Sequence, residues 1–430
     1  MAKTYRDYDP NQSFLLPPNP RDWLPEGHVA LFVDDLVDKL DLTTIYAPYE
    51  REERGYPPHN PRMMVKVWFY AYTQRVHASR QVERRCTEDV GFRVLAGGNV
   101  PDHVSLSRFR KNHLKDLAGL FAQVLKLCQE AGLVKMGHVS IDGTKIKANA
   151  SRHKAMSWDR LNKEEEKLRK EIEEILQKGA NIDDEEDARD EPVPNRLPPE
   201  FATKKQRLQK IEEAKKRLEE RATKERKDGV PDAKMQTNFT DPESRIMPTS
   251  SPKGAFDQAY NAQLAIDSKE QVIVATDVSQ TAPDQPHLLP MVDIVKHNTG
   301  AYPKKASADA GYFSQDNYDG LRDRKIQGFI PPDRPKHGDQ PKGPPRGRIP
   351  KDLGFKDRMR RLLRTRRGRA VYKRRKAIVE PPIGLIKRVL GFRRFNLRGH
   401  QNAKDEWAFE ATVYNSMKLF WKGQRTRAGA

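Results

Sequence analysis

The run 138-HVSIDGTKIKANA-150 decides how this chain is read. Apolar and polar residues alternate along it, the period of a strand, in text that is helical up to that point. Asp142 stands in the middle. A carboxylate inside a strand is costly unless it is paired or bound to a cation, so Asp142 is read as a functional acid rather than a turn former. With the strands and helices expected further on, hairpin-linked strands first and alternating α/β units after, this strand gives an α/β chain with a central sheet.

Upstream, residues 28–40, 61–76 and 79–97 carry helical periodicity. Residues 100–133 are expected to form one helix capped by Ser105 or Ser107, with Leu117, Leu120, Phe121, Val124, Leu125 and Leu127 as its apolar face. Arg108, Arg110 and Lys111 fall in its first turns. Cations there suit either a DNA-recognition helix or the basic end of a plain bundle.

Downstream, residues 155–228 read as an insertion. Leu161, Leu168, Ile172 and Ile175 form one stripe, and Leu208, Ile211, Leu218 and Ala222 another, which predicts an antiparallel helical hairpin. The acidic, Pro-rich residues 179–200 between them are expected to be a solvated loop. Strand signal then returns in 256–280, as two strands about a turn at Ser268–Glu270. A helix is expected over 284–298, a strand ending at Asp309, a helix over 314–325 and a strand over 326–330. Residues 331–350 are too rich in Pro and Gly to be regular. Basic helices follow, and residues 405–421 form a terminal amphipathic helix.

This order gives four expected regions: a helical, DNA-binding 1–134; a catalytic core of 135–154 and 229–400; the hairpin 155–228; and a C-terminal helix in 401–430. The formal net charge of +20 points to a polyanionic partner, nucleic acid first. No long apolar run suggests a membrane span, and the N-terminus lacks an apolar signal region, so the expected location is the cytoplasm. Cys86 and Cys128 lack metal-ligand spacing and read as reduced core thiols.

The most basic stretch, 366-RRGRAVYKRRKAIVEPPIGLIKRVLGFRRFNLRG-399, holds one isolated acid, Glu380. Pro381 and Pro382 suit the first turn of a helix, which places Glu380 at a helix start with Lys387 two turns up the same face. Tyr372 and Arg375 share a face at i, i+3. If the strands bearing Asp142 and Asp309 are neighbours, both aspartates and Glu380 can meet at one sheet edge. Three hard carboxylates suit Mg²⁺ or Mn²⁺, with two ions roughly 3.5–4 Å apart serving phosphoryl transfer. Asp267 and Asp277 are lesser candidates, being strand-end acids that more often form turns.

Over nearly its whole length the sequence resembles the DDE-type transposases of bacterial insertion sequences, which have an RNase H-like core. The resemblance is carried by 140-SIDGTKIKANAS-151, 260-YNAQLAID-267, 308-ADAGYFS-314 and 372-YKRRKAIVEPPIGLIK-387. It implies that Asp142 (Asp-Gly-Thr), Asp309 (Asp-x-Gly-Tyr) and Glu380 bind the divalent ions. Tyr372, Arg375, Glu380 and Lys387 match a Tyr-Arg-Glu-Lys signature, with the Arg-to-Glu gap one residue longer here. In that reading Arg375 and Lys387 hold phosphates and Tyr372 packs beside the DNA backbone. The implied activity is end cleavage and strand transfer on DNA terminal inverted repeats and target DNA, by a homodimer at the bacterial nucleoid. The alternatives are an RNase H-like nuclease without strand transfer and a catalytically inactive DNA-binding relative.

Overall fold

A computed structural model describes residues 19–51, 57–187, 199–226, 228–248, 255–333, 343–347, 350 and 352–428, with the side chains of 178–187 and 199 left undescribed. The expected irregular loop at 331–350 and the acidic loop at 179–200 lie partly outside these residues, and the N-terminal residues 1–18 wholly so. The chain divides into two compact units: Met1–Gly132 with Val389–Gly391 and Phe409–Ala430, and Leu133–Arg388 with Phe392–Ala408.

The first unit is helical. Its elements are α1 (Val29–Asp38), α2 (Thr43–Glu50), α3 (Pro61–Thr73), α4 (Ser79–Glu88), α5 (Val90–Leu95), α6 (His103–Asn112) and α7 (Leu114–Glu130). Helix α3 starts where the sequence directs it. Pro61 occupies the first turn, where its missing N–H costs nothing, and Asn60 Oδ1 accepts from the Arg62 and Met63 amides. Residues 100–133 are two helices, not one. Asp102, rather than Ser105 or Ser107, caps α6 by accepting from the Val104 and Ser105 amides, and the helix breaks at His113. The predicted apolar face of α7 is buried at Leu117, Leu120, Phe121, Val124 and Leu125. Cys86 and Cys128 are free and buried, as expected. No described helix is long and apolar enough to cross a membrane.

The second unit is built on a mixed sheet. Strand β1 (Val139–Lys147) is followed by β2 (Ala155–Ser157), α8 (Trp158–Asp187), α9 (Pro199–Glu225), β3 (Gln236–Asn238), β4 (Arg245–Pro248), β5 (Phe256–Asp267) and β6 (Ile273–Ser279). Then come α10 (Leu288–Thr299), β7 (Lys305–Ser307), α11 (Gln315–Asp323), β8 (Gln327–Phe329), α12 (Phe355–Arg364), α13 (Arg366–Gly384) and a π-helical turn at Leu385–Val389. Helix α14 (His400–Ala428) begins in this unit and ends in the first. The sheet order is β4-β5-β1-β7-β8, with β6 also paired to β5. Strand β1 is antiparallel to β5 and parallel to β7. Hairpin strands thus come first and α/β units second, as the sequence predicts.

The insertion is a helical hairpin. Leu161 and Leu168 of α8 pack on Ile211, Ala214 and Leu218 of α9, and β2 pairs with β3 at its base. Helix α8 continues to Asp187, so residues 179–187 are helical where a loop was expected. A helix already nucleated by an apolar seam extends at little cost per residue.

Candidate active site

Two parallel strands bring the first two acids together. In the β1–β7 register Ser140 is opposite Ser307, and the two hydroxyls are hydrogen-bonded at 2.7 Å. Asp142 and Asp309 each lie two residues further on, so the period of two carries both to the same end and face of the pair. Asp142 Oδ1 accepts from the Gly143 amide at 3.1 Å. Asp309 leaves the strand as the cap of a 3₁₀ turn, Oδ1 accepting from the Gly311 amide at 2.8 Å.

A third aspartate, absent from the sequence reading, joins them. Asp284 precedes α10, and its Oδ1 accepts from Asn261 Nδ2 at 2.7 Å, Gln263 Nε2 at 3.0 Å and Lys145 Nζ at 3.2 Å. The buried Tyr312 hydroxyl donates to Gln263 Oε1 and completes the network. Gly143 makes room for it. A Cβ on Gly143 would lie 2.5 Å from Gln263 Nε2 and 2.6 Å from Asp284 Oδ1. Gly311 does the same on the other side, where a Cβ would lie 3.0 Å from Asp309 Oδ1 and 3.8 Å from Asp284 Oδ2. The one sequence signal for Asp284 was the pair Asn261 and Gln263, amides aligned on one face of a buried strand and in need of an acceptor.

Helix α13 supplies the cations. Arg375 Nη1 lies 3.3 Å from Asp142 Oδ2, with the half-buried Tyr372 against it. Lys387, in the π-helical turn, donates to Thr144 Oγ1 and, at 3.1 Å, to the Lys145 carbonyl. Glu380 lies in the same helix. The expectation that Pro381 and Pro382 start a helix is corrected: both lie inside α13, which runs unbroken from Arg366. Glu380 is therefore mid-helix and exposed, on the helix whose Arg375 reaches Asp142. Pro381 leaves the Ala377 carbonyl one turn back without its helical donor, and Gln271 Nε2 donates to it at 2.8 Å instead.

The N-terminal candidates also separate. Arg108 and Lys111 are exposed, but Arg110 is 5 % exposed, its guanidinium 4.4 Å from the Trp68 ring centroid and donating to the His77 carbonyl at 2.6 Å. The expectation of Arg110 as a DNA contact is corrected accordingly: stacking and a buried acceptor hold it in the core. Asp267 is buried and caps the Met136 and Lys269 amides, and Asp277 pairs with Lys404 at 2.8 Å. Both have structural partners.

Burial pushes the Asp142 carboxyl up to about 6; Arg375 opposes this, and the nearby charges of Asp309 and Asp284 add to it. Burial, with Lys145 and Arg393 adjacent, pulls the Lys387 ammonium down to about 8. An acid so crowded by acids is a place where a cation relieves charge, so Asp142 and Asp309 fit a hard divalent ion. Among the described residues no three Asp, Glu, His or Cys side chains close into a metal-holding group.

Residues 18–112 match a family described as Transposase domain (DUF772), and residues 232–416 match one described as Transposase DDE domain. The second match spans Asp284, Asp309 and Glu380 and begins beyond Asp142 and most of the hairpin. Neither the curated proteins nor the solved structures gave a match. The DDE domain implies an RNase H-like core, and the mixed sheet with its hairpin strands first has that form.

Proposed function

Starting from a chain that belongs to the DDE transposases of insertion sequences, we propose that it cleaves DNA at the ends of its element and joins them to target DNA. The observation that carries this reading is the parallel β1–β7 register, which sets Asp142 beside Asp309 at one strand end. Those two carboxylates would hold Mg²⁺ or Mn²⁺, with Glu380 as the third acid. Glu380 would reach them by a turn of α13 at Pro381–Pro382, where the backbone already lacks two N–H donors. A divalent ion there supplies charge withdrawal from the phosphodiester and acidifies the attacking hydroxyl.

The chain's own residues do the rest. Arg375 Nε is buried without an acceptor among the described residues, a donor left for a phosphate oxygen. Lys387 places a second cation on the same helix, and Tyr372 packs beside the backbone. Water attacks the phosphorus, the P–O3′ bond breaks, and a 3′-hydroxyl is freed. That hydroxyl then attacks a target phosphodiester in the same pocket, and the target's own P–O3′ bond breaks to release a target 3′-hydroxyl, since both steps are in-line displacements. Exposed Arg108 and Lys111 would contact end DNA, in a homodimer that brings two ends together in the cytoplasm.

The test is cleavage of DNA carrying the element's ends with Mn²⁺, comparing the wild type with Asp142→Ala, Asp309→Ala and Glu380→Ala. Loss of at least 100-fold in each supports the triad. Equal cleavage by all four overturns it.

A further inference from the structure

Lys145 is absent from the site as the sequence describes it, yet Asp284 ties it to that site from the other face of β1. It follows Thr144, so its side chain leaves the opposite face of β1 from the hydroxyl that Lys387 holds. Its ammonium donates to the Ala282 carbonyl at 2.9 Å and to Asp284 Oδ1 at 3.2 Å. An ammonium carries three donors, and the third takes no acceptor among the described residues. The side chain keeps 19 % of its surface open. Asp284 is itself fixed by Asn261 and Gln263, so the ammonium is held in place rather than swinging on a free stem. Beside Ala282 opens a cavity of about 420 Å³ whose lining includes Gln280, Thr281, Pro283, Arg245 and the pair of Arg221 with Glu225.

We infer that Lys145, anchored by Asp284, is a further phosphate-binding residue of this pocket, gripping the DNA strand from the side of β1 opposite Lys387. A strand bound at Asp142 and Asp309 reaches the Lys145 ammonium across the edge of β1 that β7 leaves unpaired beyond Ser140. Asp284 is the positioning residue, acting through Lys145. The inference rests on the transposase reading of the pocket, and binding rather than cleavage separates the two.

The experiment measures the affinity of the full-length protein for a fluorescein-labelled DNA duplex with a 3′ overhang, by anisotropy over a series of salt concentrations without divalent ions. Each phosphate contact contributes about 0.7–0.9 to the slope of log K against log salt. Lys145→Met is expected to lower the slope by about that amount, as is Lys387→Met. Asp284→Asn, which keeps the ammonium, is expected to leave the slope unchanged and to slow cleavage at least 10-fold. Lys145→Gln, able to donate to Ala282, carries the same reading if the methionine lowers the melting temperature. A wild-type slope in a folded Lys145 variant, beside a reduced slope for Lys387→Met, overturns this inference alone. Wild-type slopes in both overturn the phosphate roles of the pocket altogether.

Discussion

Replacing Asp142 by Asn should make the protein more stable while abolishing cleavage. The ionised carboxylate is 22 % exposed, faces Asp309 and Asp284, and has one cationic partner, Arg375 at 3.3 Å. Its acid is pushed from the ordinary 3.8 up to about 6. At about 1.36 kcal/mol per unit, holding the charge in the folded state costs about 3 kcal/mol. The sign follows from proton counts. Below pH 3.8 the group is protonated in both states and the variant gains nothing. Between 3.8 and about 6 the unfolded chain loses its proton while the folded chain keeps it, so wild-type stability falls as pH rises. Above that the loss is complete. Asn mimics the protonated form and escapes it. Urea unfolding followed by tryptophan fluorescence, in EDTA at pH 7.5 and at pH 3.5, measures the difference. The expected result is a gain of up to about 3 kcal/mol at pH 7.5 that vanishes at pH 3.5. Excess Mg²⁺ should stabilise the wild type more than the variant. A variant less stable than wild type at pH 7.5 in EDTA would refute the account of a strained, cation-seeking acid.

Gly143→Ala should cost about 1–3 kcal/mol by overpacking against Gln263 and Asp284, and should cut cleavage more than DNA affinity; thermal melts and end-cleavage rates check it. Arg110→Ala should destabilise by about 2–4 kcal/mol, through loss of the Trp68 stack and the His77 carbonyl's donor. Arg108→Ala, by contrast, should leave stability within about 0.5 kcal/mol and lower the salt dependence of DNA binding. Leu161→Ala should cost about 2–5 kcal/mol locally. Hydrogen exchange should then rise across 158–225 and stay unchanged in β1 and β5.

The strands that carry two of the three expected acids were legible from short-range information. The alternation around Asp142, and the strand ending near Asp309, are set by neighbours a few residues away. The hairpin insertion was legible for the same reason, since its seam repeats locally: Leu161, Leu168, Ile211 and Leu218 all face inward. What depended on pairing across the chain was not legible. Asp284 sits in Thr-Ala-Pro-Asp-Gln-Pro, which reads as the approach to a helix. Only the β1–β5 register, which sets Gly143 opposite Gln263, opens the space it fills.

Helix facing was the other failure. The pair Pro381–Pro382 announces a helix start by local rule, yet α13, with Ile378, Val379 and Pro382 buried, runs straight through and leaves Glu380 mid-helix. In the same way, Arg110 looks identical in sequence to its exposed neighbour Arg108, and only the packing of Trp68 beneath it puts it inside. Sequence by itself determined the elements, their order and the chemistry that two of them carry, because these depend on bond rotations and side-chain periods within one segment. Tertiary structure decided which charges meet, because burial and mutual distance are properties of segments that only folding brings side by side.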